Sequence, residues 1–343
     1  MIMATGGHGR AEMPGSPPVR VGARRGRVPG VPAPSGRDPD RYAPVFALSP
    51  IRSYSSVVTT MIGCHPELYG FPELLLWTSG TVGELLADPL RAGSVTAPAF
   101  PAGLVRAIAE LHDGAQGPGE VAAARTWLLA RQSWPTCAVQ DHLLDLAAPR
   151  HGVEKSPQTA TGKDALERAG RAYPRARFIH LTRHPATALH SINEHWLWSR
   201  RMRGLPADLP PEVATQQWVA SAATWLVAHR NALEFGGRVG PGRMLRIRGE
   251  DVLAHPRREL TRVARWLGVS DEPQAVGQML HPERGVFTKQ GPPGARYGND
   301  AKFIAHPVPH RVRCPEGHRL PASVRLPPPL VIKVEQLAAQ LGY

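Results

Sequence analysis

The most informative segment of the chain is Val45–Ser56, with the sequence VFALSPIRSYSS. Its first four residues are apolar, as expected of a buried strand, and the following turn opens a helix that begins near Tyr54. The first N–H groups of a helix have no intrahelical partner and lie at the positive end of its dipole, where phosphate and sulfate bind. More donors for such an anion stand at the same turn: Arg52, Ser53, Ser55 and Ser56. The segment therefore predicts an anion-binding strand-turn-helix junction.

A second segment, Phe178–Pro185 with the sequence FIHLTRHP, has the same design. Its strand ends at Arg183, and a helix is expected to begin near Pro185. Ser191 follows the arginine by eight residues, which places it about two turns into that helix. An arginine from the loop and a serine from the helix can then close on one phosphate group, so a second anion site is predicted.

Neither segment is a nucleoside-triphosphate-binding Walker A loop. That motif requires a lysine and a Ser/Thr at the end of a glycine-rich loop, where they hold the terminal phosphates and Mg²⁺. The chain contains no Gly-Lys-Ser or Gly-Lys-Thr sequence. The sequence therefore disfavours hydrolysis of ATP or GTP.

Apolar strand-like segments alternate with helical segments along the chain. The predicted strands are 44–49, 68–70, 152–155, 177–182 and 243–248. The predicted helices include 54–63, 157–170, 185–199, 212–235, 256–267 and 329–341. Such alternation is typical of βαβ units and a parallel sheet whose ligands bind at its carboxyl edge. We therefore predict an α/β, P-loop-like three-layer fold with a central parallel sheet and a helical lid or substrate subdomain.

At these motifs the chain resembles the sulfotransferases that use 3′-phosphoadenosine 5′-phosphosulfate (PAPS). The similarity is to the branch that contains tyrosylprotein sulfotransferases and bacterial metabolite-tailoring enzymes. It extends over roughly residues 44 to 305 and rests on several blocks taken together. The blocks are Pro50–Glu73, Glu154–Pro157, Arg183–Ser191, Arg246–Leu253 and Lys289–Phe303.

The resemblance implies where the cofactor binds. In the family the first loop cradles the 5′-phosphosulfate, the spaced arginine and serine hold the 3′-phosphate, and the C-terminal block reaches back over the cofactor. No metal ion is expected. The cofactor-binding residues implied for this chain are Arg52, Ser53, Tyr54, Ser55, Ser56, Arg183, Ser191 and Lys289.

The resemblance also implies the catalytic groups. Sulfuryl transfer needs a general base for the acceptor hydroxyl, and cations for the charge that builds on the leaving group. Glu73 stands at the position of the base in the tyrosylprotein branch, and Arg52 and Lys155 are the implied cations. Because other members of the family use a histidine, His195 is the reserve candidate for the base.

Position 54 departs from the family pattern. The family has glycine where this chain has Tyr54, and glycine permits a positive φ or a close approach of the backbone to the anion. The tyrosine N–H can still bind the anion, but its ring must turn away from the phosphosulfate or stack against a neighbour. Packing under the loop and contact with substrate both stay open for this ring.

Composition limits the class of protein. The chain has 343 residues, 42% of them hydrophobic, and a net charge of +13. Its basic residues are scattered, without zinc-finger spacing or an aromatic RNA-binding motif, so no nucleic-acid partner is expected. No apolar run approaches the roughly 20 residues of a membrane helix, and no secretory signal is recognisable, so we expect a cytoplasmic protein without a membrane span. Free thiols are expected at Cys64, Cys137 and Cys314.

Three parts of the chain are predicted. Residues 1–42 are rich in Gly, Pro and Arg, and are expected to be disordered or to belong to an over-extended start. The sulfotransferase-like domain is predicted over 43–306, with a helical insertion at about 74–147. A tail with one last helix follows at 307–343.

The leading interpretation is a PAPS-dependent sulfotransferase of secondary metabolism. Its acceptor is expected to be a hydroxyl of a small-molecule, lipid-like or polyketide-like compound. Trp196 and Trp198, on the helix that begins beside Arg183, are candidates for lining the acceptor pocket. Two alternatives stay open: a P-loop kinase-like phosphotransferase, and a nucleotide- or nucleic-acid-binding protein that keeps the fold without catalysis.

Overall fold

A computed structural model of the chain describes residues 36–87, 100–202, 209–309, 312 and 314–343. Within these residues one parallel sheet has the strand order β2-β3-β1-β4-β5. The predicted α/β class and its parallel sheet are therefore confirmed. The strands are β1 (Val45–Leu48), β2 (Leu68–Gly70), β3 (His151–Glu154), β4 (Arg177–Thr182) and β5 (Met244–Arg248).

Helices connect the strands and cover the sheet. The first part of the described chain contains α1 (Ser55–Gly63), α2 (Val82–Leu86), α3 (Ala102–Asp113), α4 (Pro118–Leu129) and α5 (Thr136–Ala147). The middle part contains α6 (Pro157–Thr161), α7 (Lys163–Ala172), α8 (Pro185–Met202) and α9 (Pro211–Val239). The last part contains α10 (Gly249–Ala254), α11 (Pro256–Leu267), α12 (Pro273–Met279), α13 (Ala301–Ala305) and α14 (Pro328–Leu341). Short 3₁₀ turns lie at Leu76–Thr78 and Pro282–Arg284.

The helix predicted over 157–170 is a pair of helices in the structure. Gly162 separates them with an extended backbone, at φ −95° and ψ 109°. Three short helices, α10, α12 and α13, were not among the predicted elements. Each has at most seven residues, which is too short for the period of apolar residues to be recognised in the sequence.

Apolar side chains on both faces of the sheet produce the three layers. Because consecutive residues of a strand point to opposite faces, Val45 and Ile179 belong to one cluster, whereas Phe46 and Phe178 belong to the other. The first cluster joins the sheet to α1, α10, α11 and α12. The second joins it to α7 and α9 and also to α3, α4 and α5. The predicted helical insertion thus shares its core with the sheet.

The predicted N-terminal segment 1–42 is described only from residue 36 onward, and residues 1–35 lie outside the described part. Arg37 donates to a carboxylate oxygen of Asp141 at 2.5 Å, and its guanidinium lies 4.7 Å from the centre of the Tyr173 ring. The folded unit therefore extends at least as far toward the N-terminus as Arg37. No helix in the described part of the chain is long and apolar enough to cross a membrane.

The strand order places the predicted site residues side by side. β1 is central, with β3 on one side and β4 on the other. The loop after β1 contains Arg52, the residue after β3 is Lys155, and the residue after β4 is Arg183. Because parallel strands end at the same edge, these three cations meet at the carboxyl edge where the chain changes direction across the sheet.

Candidate active site

The loop between β1 and α1 has a backbone that side chains rarely adopt. Arg52 has φ 64° and Tyr54 has φ 61°, so both residues lie in the left-handed region. Each such residue costs roughly 1–2 kcal/mol when it is not glycine. Tyr54 therefore keeps the conformation for which the family uses glycine, and the loop stores strain at the predicted anion site.

Donors without protein partners converge on this loop. The hydroxyl oxygens of Ser49 and Ser53 are buried and have no hydrogen-bond partner among the described residues. A buried polar group left unpaired costs about 1–3 kcal/mol, so the loop fits an oxyanion that would accept these bonds. Helix α1 begins immediately afterwards at Ser55, and no side chain caps its first turn. The loop and the start of α1 therefore present the donors that an oxyanion requires.

Arg52 lies at the centre of the site. Its Nε donates to the hydroxyl of Ser191 at 3.1 Å, and its guanidinium forms an ion pair with Asp300. Burial lowers the pKa of Arg52, and the neighbouring charge of Arg183 lowers it further. Two partly buried guanidinium groups that are close enough to affect each other's pKa favour an anion between or beside them.

Arg183 connects the second predicted anion site to the first. Its Nη1 donates to the backbone carbonyl of Arg52 at 2.6 Å, and its Nε donates to the hydroxyl of Thr187 at 3.0 Å. Its own carbonyl accepts a hydrogen bond from the indole of Trp225 at 3.2 Å. The two junctions that were recognised separately in the sequence therefore form one continuous site.

The ring of Tyr54 lies under the guanidinium of Arg183. The two groups are 4.1 Å apart, which is cation–π distance. The ring also lies close to the start of α10, where a Cβ added to Gly249 would be 2.8 Å from it. Of the outcomes open at position 54, the structure shows stacking against a neighbour. Burial also raises the pKa of the Tyr54 hydroxyl.

Lys155 joins the start of α1 to the predicted general base. Its side chain is 2% exposed, its Nζ donates to the hydroxyl of Ser56 at 3.2 Å, and it forms an ion pair with Glu73. Glu73 retains 26% of its side-chain exposure, so its carboxylate is reachable from solvent. A buried cation and an accessible carboxylate next to an anion cradle are the groups that transfer to an acceptor hydroxyl requires.

His195, the reserve candidate for the base, contacts two tryptophan rings and lies near Arg52 and Glu73. Its ring is 5.8 Å from Trp196 and 5.9 Å from Trp198, measured between ring centres. Burial lowers the pKa of His195, and the charge of Arg52 lowers it further while Glu73 opposes this effect. The two tryptophans are 36% and 42% exposed, so they form an apolar surface near the reactive groups.

Lys289 lies in the C-terminal block, away from the two strand-turn-helix junctions, and its side chain forms no hydrogen bond or ion pair with another predicted site residue among the described residues. Its side chain is exposed, and its backbone carbonyl accepts from the buried guanidinium of Arg106 at 2.7 Å. Asp300, by contrast, was assigned no role in the sequence, although it lies in the quoted block Lys289–Phe303. No local pattern indicates its ion pair, because its partner Arg52 is distant in the chain.

The comparisons with known proteins agree with this geometry. Residues 44–273 match the model of the sulfotransferase family. The sulfotransferase domain from the curacin biosynthetic pathway is 25% identical, covers 89% of this chain and 99% of its own, and has a TM-score of 0.67. The sulfotransferase domain from the Synechococcus PCC 7002 olefin synthase is 24% identical, covers 90% of this chain and 98% of its own, and has a TM-score of 0.64. A search of curated proteins gave no significant match.

The family match includes β1, the loop with Arg52, Lys155, β4 with Arg183, and β5. These are the elements whose ends build the site described above. The match extends over more than half of the chain. It confirms the family resemblance that was predicted from the sequence. The chain belongs to the sulfotransferase family and is an enzyme of that family.

Proposed function

We propose that the protein transfers the sulfuryl group of PAPS to a hydroxyl group of an apolar small-molecule acceptor. The observation that carries this proposal is the meeting of Arg52, Lys155 and Arg183 with the start of α1 at one edge of the sheet. A ligand with two separated anionic groups satisfies such an arrangement better than a monophosphate does. PAPS is available in the cytoplasm, which is where we place the reaction.

The two ends of the cofactor are assigned to different residues. The loop donors of Arg52–Ser56 and the first turn of α1 would hold the 5′-phosphosulfate, with Lys155 beside it. Arg183 and Ser191 would hold the 3′-phosphate. When bound, PAPS supplies an activated sulfuryl group and leaves as adenosine 3′,5′-bisphosphate (PAP).

Glu73 is proposed as the general base. Its carboxylate would accept the proton of the acceptor hydroxyl, while a new bond forms between the acceptor oxygen and sulfur and the bond from sulfur to the bridging oxygen breaks. Lys155 and Arg52 would stabilise the negative charge that develops on that bridging oxygen. The ion pair with Lys155 holds the Glu73 carboxylate at the site before the acceptor binds.

An apolar acceptor is favoured by the exposed aromatic surface around His195. Trp196 and Trp198 are exposed there, and large exposed aromatic side chains near a reactive centre are typical of binding surfaces for apolar groups. The relative from the curacin biosynthetic pathway adds support for a polyketide-like acceptor and a role in secondary metabolism. His195 contacts both tryptophan rings and is close enough to Arg52 and Glu73 for their charges to affect its pKa, so it would contact the acceptor.

Titration calorimetry with PAP, AMP and ATP tests the cofactor assignment. We expect wild type to prefer PAP, and Arg183→Ala to lose most of that preference because the variant lacks the cation assigned to the 3′-phosphate. The matched control is Arg175→Ala, since Arg175 precedes β4 at the opposite edge of the sheet and contacts only the backbone carbonyl of Asp40 among the described residues. Equal binding of all three nucleotides by wild type would refute the proposal.

A further inference from the structure

The segment that contains α14 has no part in the proposed reaction, but it packs directly behind the site. Val334, Leu337 and Leu341 of α14 are buried in a cluster with residues of α8 and α9, including Leu189 and Trp225. Two arginines of β5 reinforce this docking, because Arg246 and Arg248 donate to the backbone carbonyls of Gln340 and Gly342. Tyr343 is thereby brought to the turn between β4 and α8.

The hydroxyl of Tyr343 enters a buried polar network at this turn. It lies 2.9 Å from the hydroxyl of Thr182 and donates to one carboxylate oxygen of Glu250 at 3.2 Å. The other carboxylate oxygen of Glu250 accepts from the backbone N–H of His184 at 2.9 Å. Thr182 and His184 are the two neighbours of Arg183 in the chain, so one network fixes the backbone on both sides of that arginine.

Burial makes this network sensitive to the loss of any member. Thr182 and His184 are fully buried, and Glu250 is almost fully buried. A buried carboxylate oxygen that loses its donor costs more than an ordinary hydrogen bond is worth, so the turn would move to recover a partner. Burial also raises the pKa of Tyr343 far above its ordinary value, and the charge of Glu250 raises it further. The phenol therefore stays protonated and remains a donor.

We infer that Tyr343 is a positioning residue for the 3′-phosphate of the cofactor, acting through Thr182 and Glu250 on the turn that carries Arg183. This inference rests on the proposed function, in which Arg183 binds the 3′-phosphate. The phenol touches neither the cofactor nor the acceptor. It sets the position of the arginine, whose guanidinium is in turn supported by the ring of Tyr54 and bonded to the carbonyl of Arg52.

The test is the selectivity of Tyr343→Phe for PAP over AMP, measured by calorimetry. This variant keeps the ring that packs against His184 and Arg248, and removes only the hydroxyl. We expect PAP affinity to fall about tenfold, which corresponds to the net free energy of about one hydrogen bond. AMP affinity should change less than about twofold, because AMP has no 3′-phosphate. The KM for PAPS should rise by a similar factor while kcat changes little.

Controls separate a positioning role from a structural one. Tyr42→Phe removes a hydroxyl that contacts Asp145 at the surface, and should leave both affinities unchanged. A purely structural role of Tyr343 would lower the unfolding temperature and weaken PAP and AMP equally, which would overturn the inference. An unchanged ratio of the two affinities would overturn it as well. If wild type itself does not prefer PAP, the proposed function fails, and that outcome is distinct.

A second pair of variants covers the case in which Tyr343→Phe does not fold. Thr182→Val removes the hydroxyl that faces Tyr343 and keeps the shape of the side chain, whereas Thr182→Ser keeps the hydroxyl. We expect the valine variant to lose PAP selectivity and the serine variant to retain it. Equal selectivity in the two Thr182 variants would contradict the inference.

Discussion

The carboxylate of Asp300 lies against the guanidinium of Arg52 and forms an ion pair with it in the centre of the anion cradle. The backbone N–H of Asp300 also donates to the hydroxyl of Ser56 at 3.1 Å, so the residue faces two of the groups assigned to the phosphosulfate. The chain thus supplies an anion of its own to this cation. A phosphosulfate that binds at Arg52 must compete with this carboxylate.

We therefore predict that Asp300→Asn binds PAP more tightly than wild type, by about threefold to tenfold, as expected when a partly buried competing charge is removed. The other carboxylate oxygen of Asp300 caps α13 by accepting from Lys302 and Phe303, and asparagine preserves this cap. Calorimetry with PAP measures the change. Asp271→Asn, at an exposed ion pair with Arg265, is the matched control. Unchanged or weaker PAP binding in Asp300→Asn would contradict the competition.

Glu73→Gln should lower kcat by about 100-fold or more, since general-base catalysis contributes about 10²–10⁴-fold. PAP binding should be retained, because the neutral amide releases Lys155 without removing any group assigned to the nucleotide. Transfer from labelled PAPS to an acceptor gives kcat, and calorimetry gives the affinity. Glu67→Gln is the control: Glu67 is exposed and contacts the backbone N–H of Ser270.

The variant His195→Gln tests whether His195, and not Glu73, is the general base. We expect this variant to raise the KM for the acceptor and to retain most of kcat, since the ring of His195 contacts the exposed tryptophans that are assigned to the acceptor. If Glu73→Gln keeps its rate and His195→Gln loses it, the base is His195 and the assignment of Glu73 is wrong.

Local patterns in the sequence were sufficient for the framework of the site. Val45–Ser56 and Phe178–Pro185 each form the predicted strand, turn and helix, because a buried parallel strand followed by a helix start has a short, contiguous signature. In the structure, Arg183 and Ser191 are connected through Arg52. Ser191 accepts its bond from Arg52, and Arg183 reaches the Arg52 carbonyl.

The remaining contacts join residues that are far apart in the chain. Asp300 meets Arg52, and Tyr343 meets Thr182, at separations for which no local period or motif exists. Such contacts depend on how α13 and α14 pack, and packing is decided by the whole core. The ring of Tyr54 is a similar case, because its partner Arg183 is brought to it by the pairing of β1 with β4.

We expect Glu154 to make the stability of the folded protein depend on pH. Its side chain is almost fully buried, accepts from the hydroxyl of Ser156, and lies 3.4 Å from the N–H of Leu74. Burial raises the pKa of Glu154 to about 7 against the opposing effect of these bonds. Because the folded state favours the protonated acid, the stabilisation is complete below the unfolded pKa, near 4.5, and is lost as the pH rises through about 7.

We predict that the free energy of unfolding of wild type, relative to Glu154→Gln, falls by up to about 3 kcal/mol between pH 4.5 and pH 8. Glutamine is neutral throughout and can keep the bond from Ser156, so the difference between the two proteins isolates this carboxyl group. Urea denaturation at several pH values measures it. A difference that does not vary with pH would show that the pKa of Glu154 is the same in the folded and the unfolded protein, and would contradict the prediction.

Tyr54 combines two opposing effects, backbone strain and support of Arg183, and substitutions at this position measure their balance. Its left-handed backbone conformation costs roughly 1–2 kcal/mol, a strain that is absent in glycine. Its partly buried ring supports Arg183 by a cation–π contact that contributes about 0.5–2 kcal/mol. We predict that Tyr54→Gly lowers PAP affinity several-fold and AMP affinity less, because the ring acts through the arginine assigned to the 3′-phosphate. Tyr54→Phe keeps the ring and should bind PAP within about twofold of wild type, as calorimetry can check. Tighter PAP binding by the glycine variant would mean that the strained backbone, and not the position of Arg183, limits the affinity of the site.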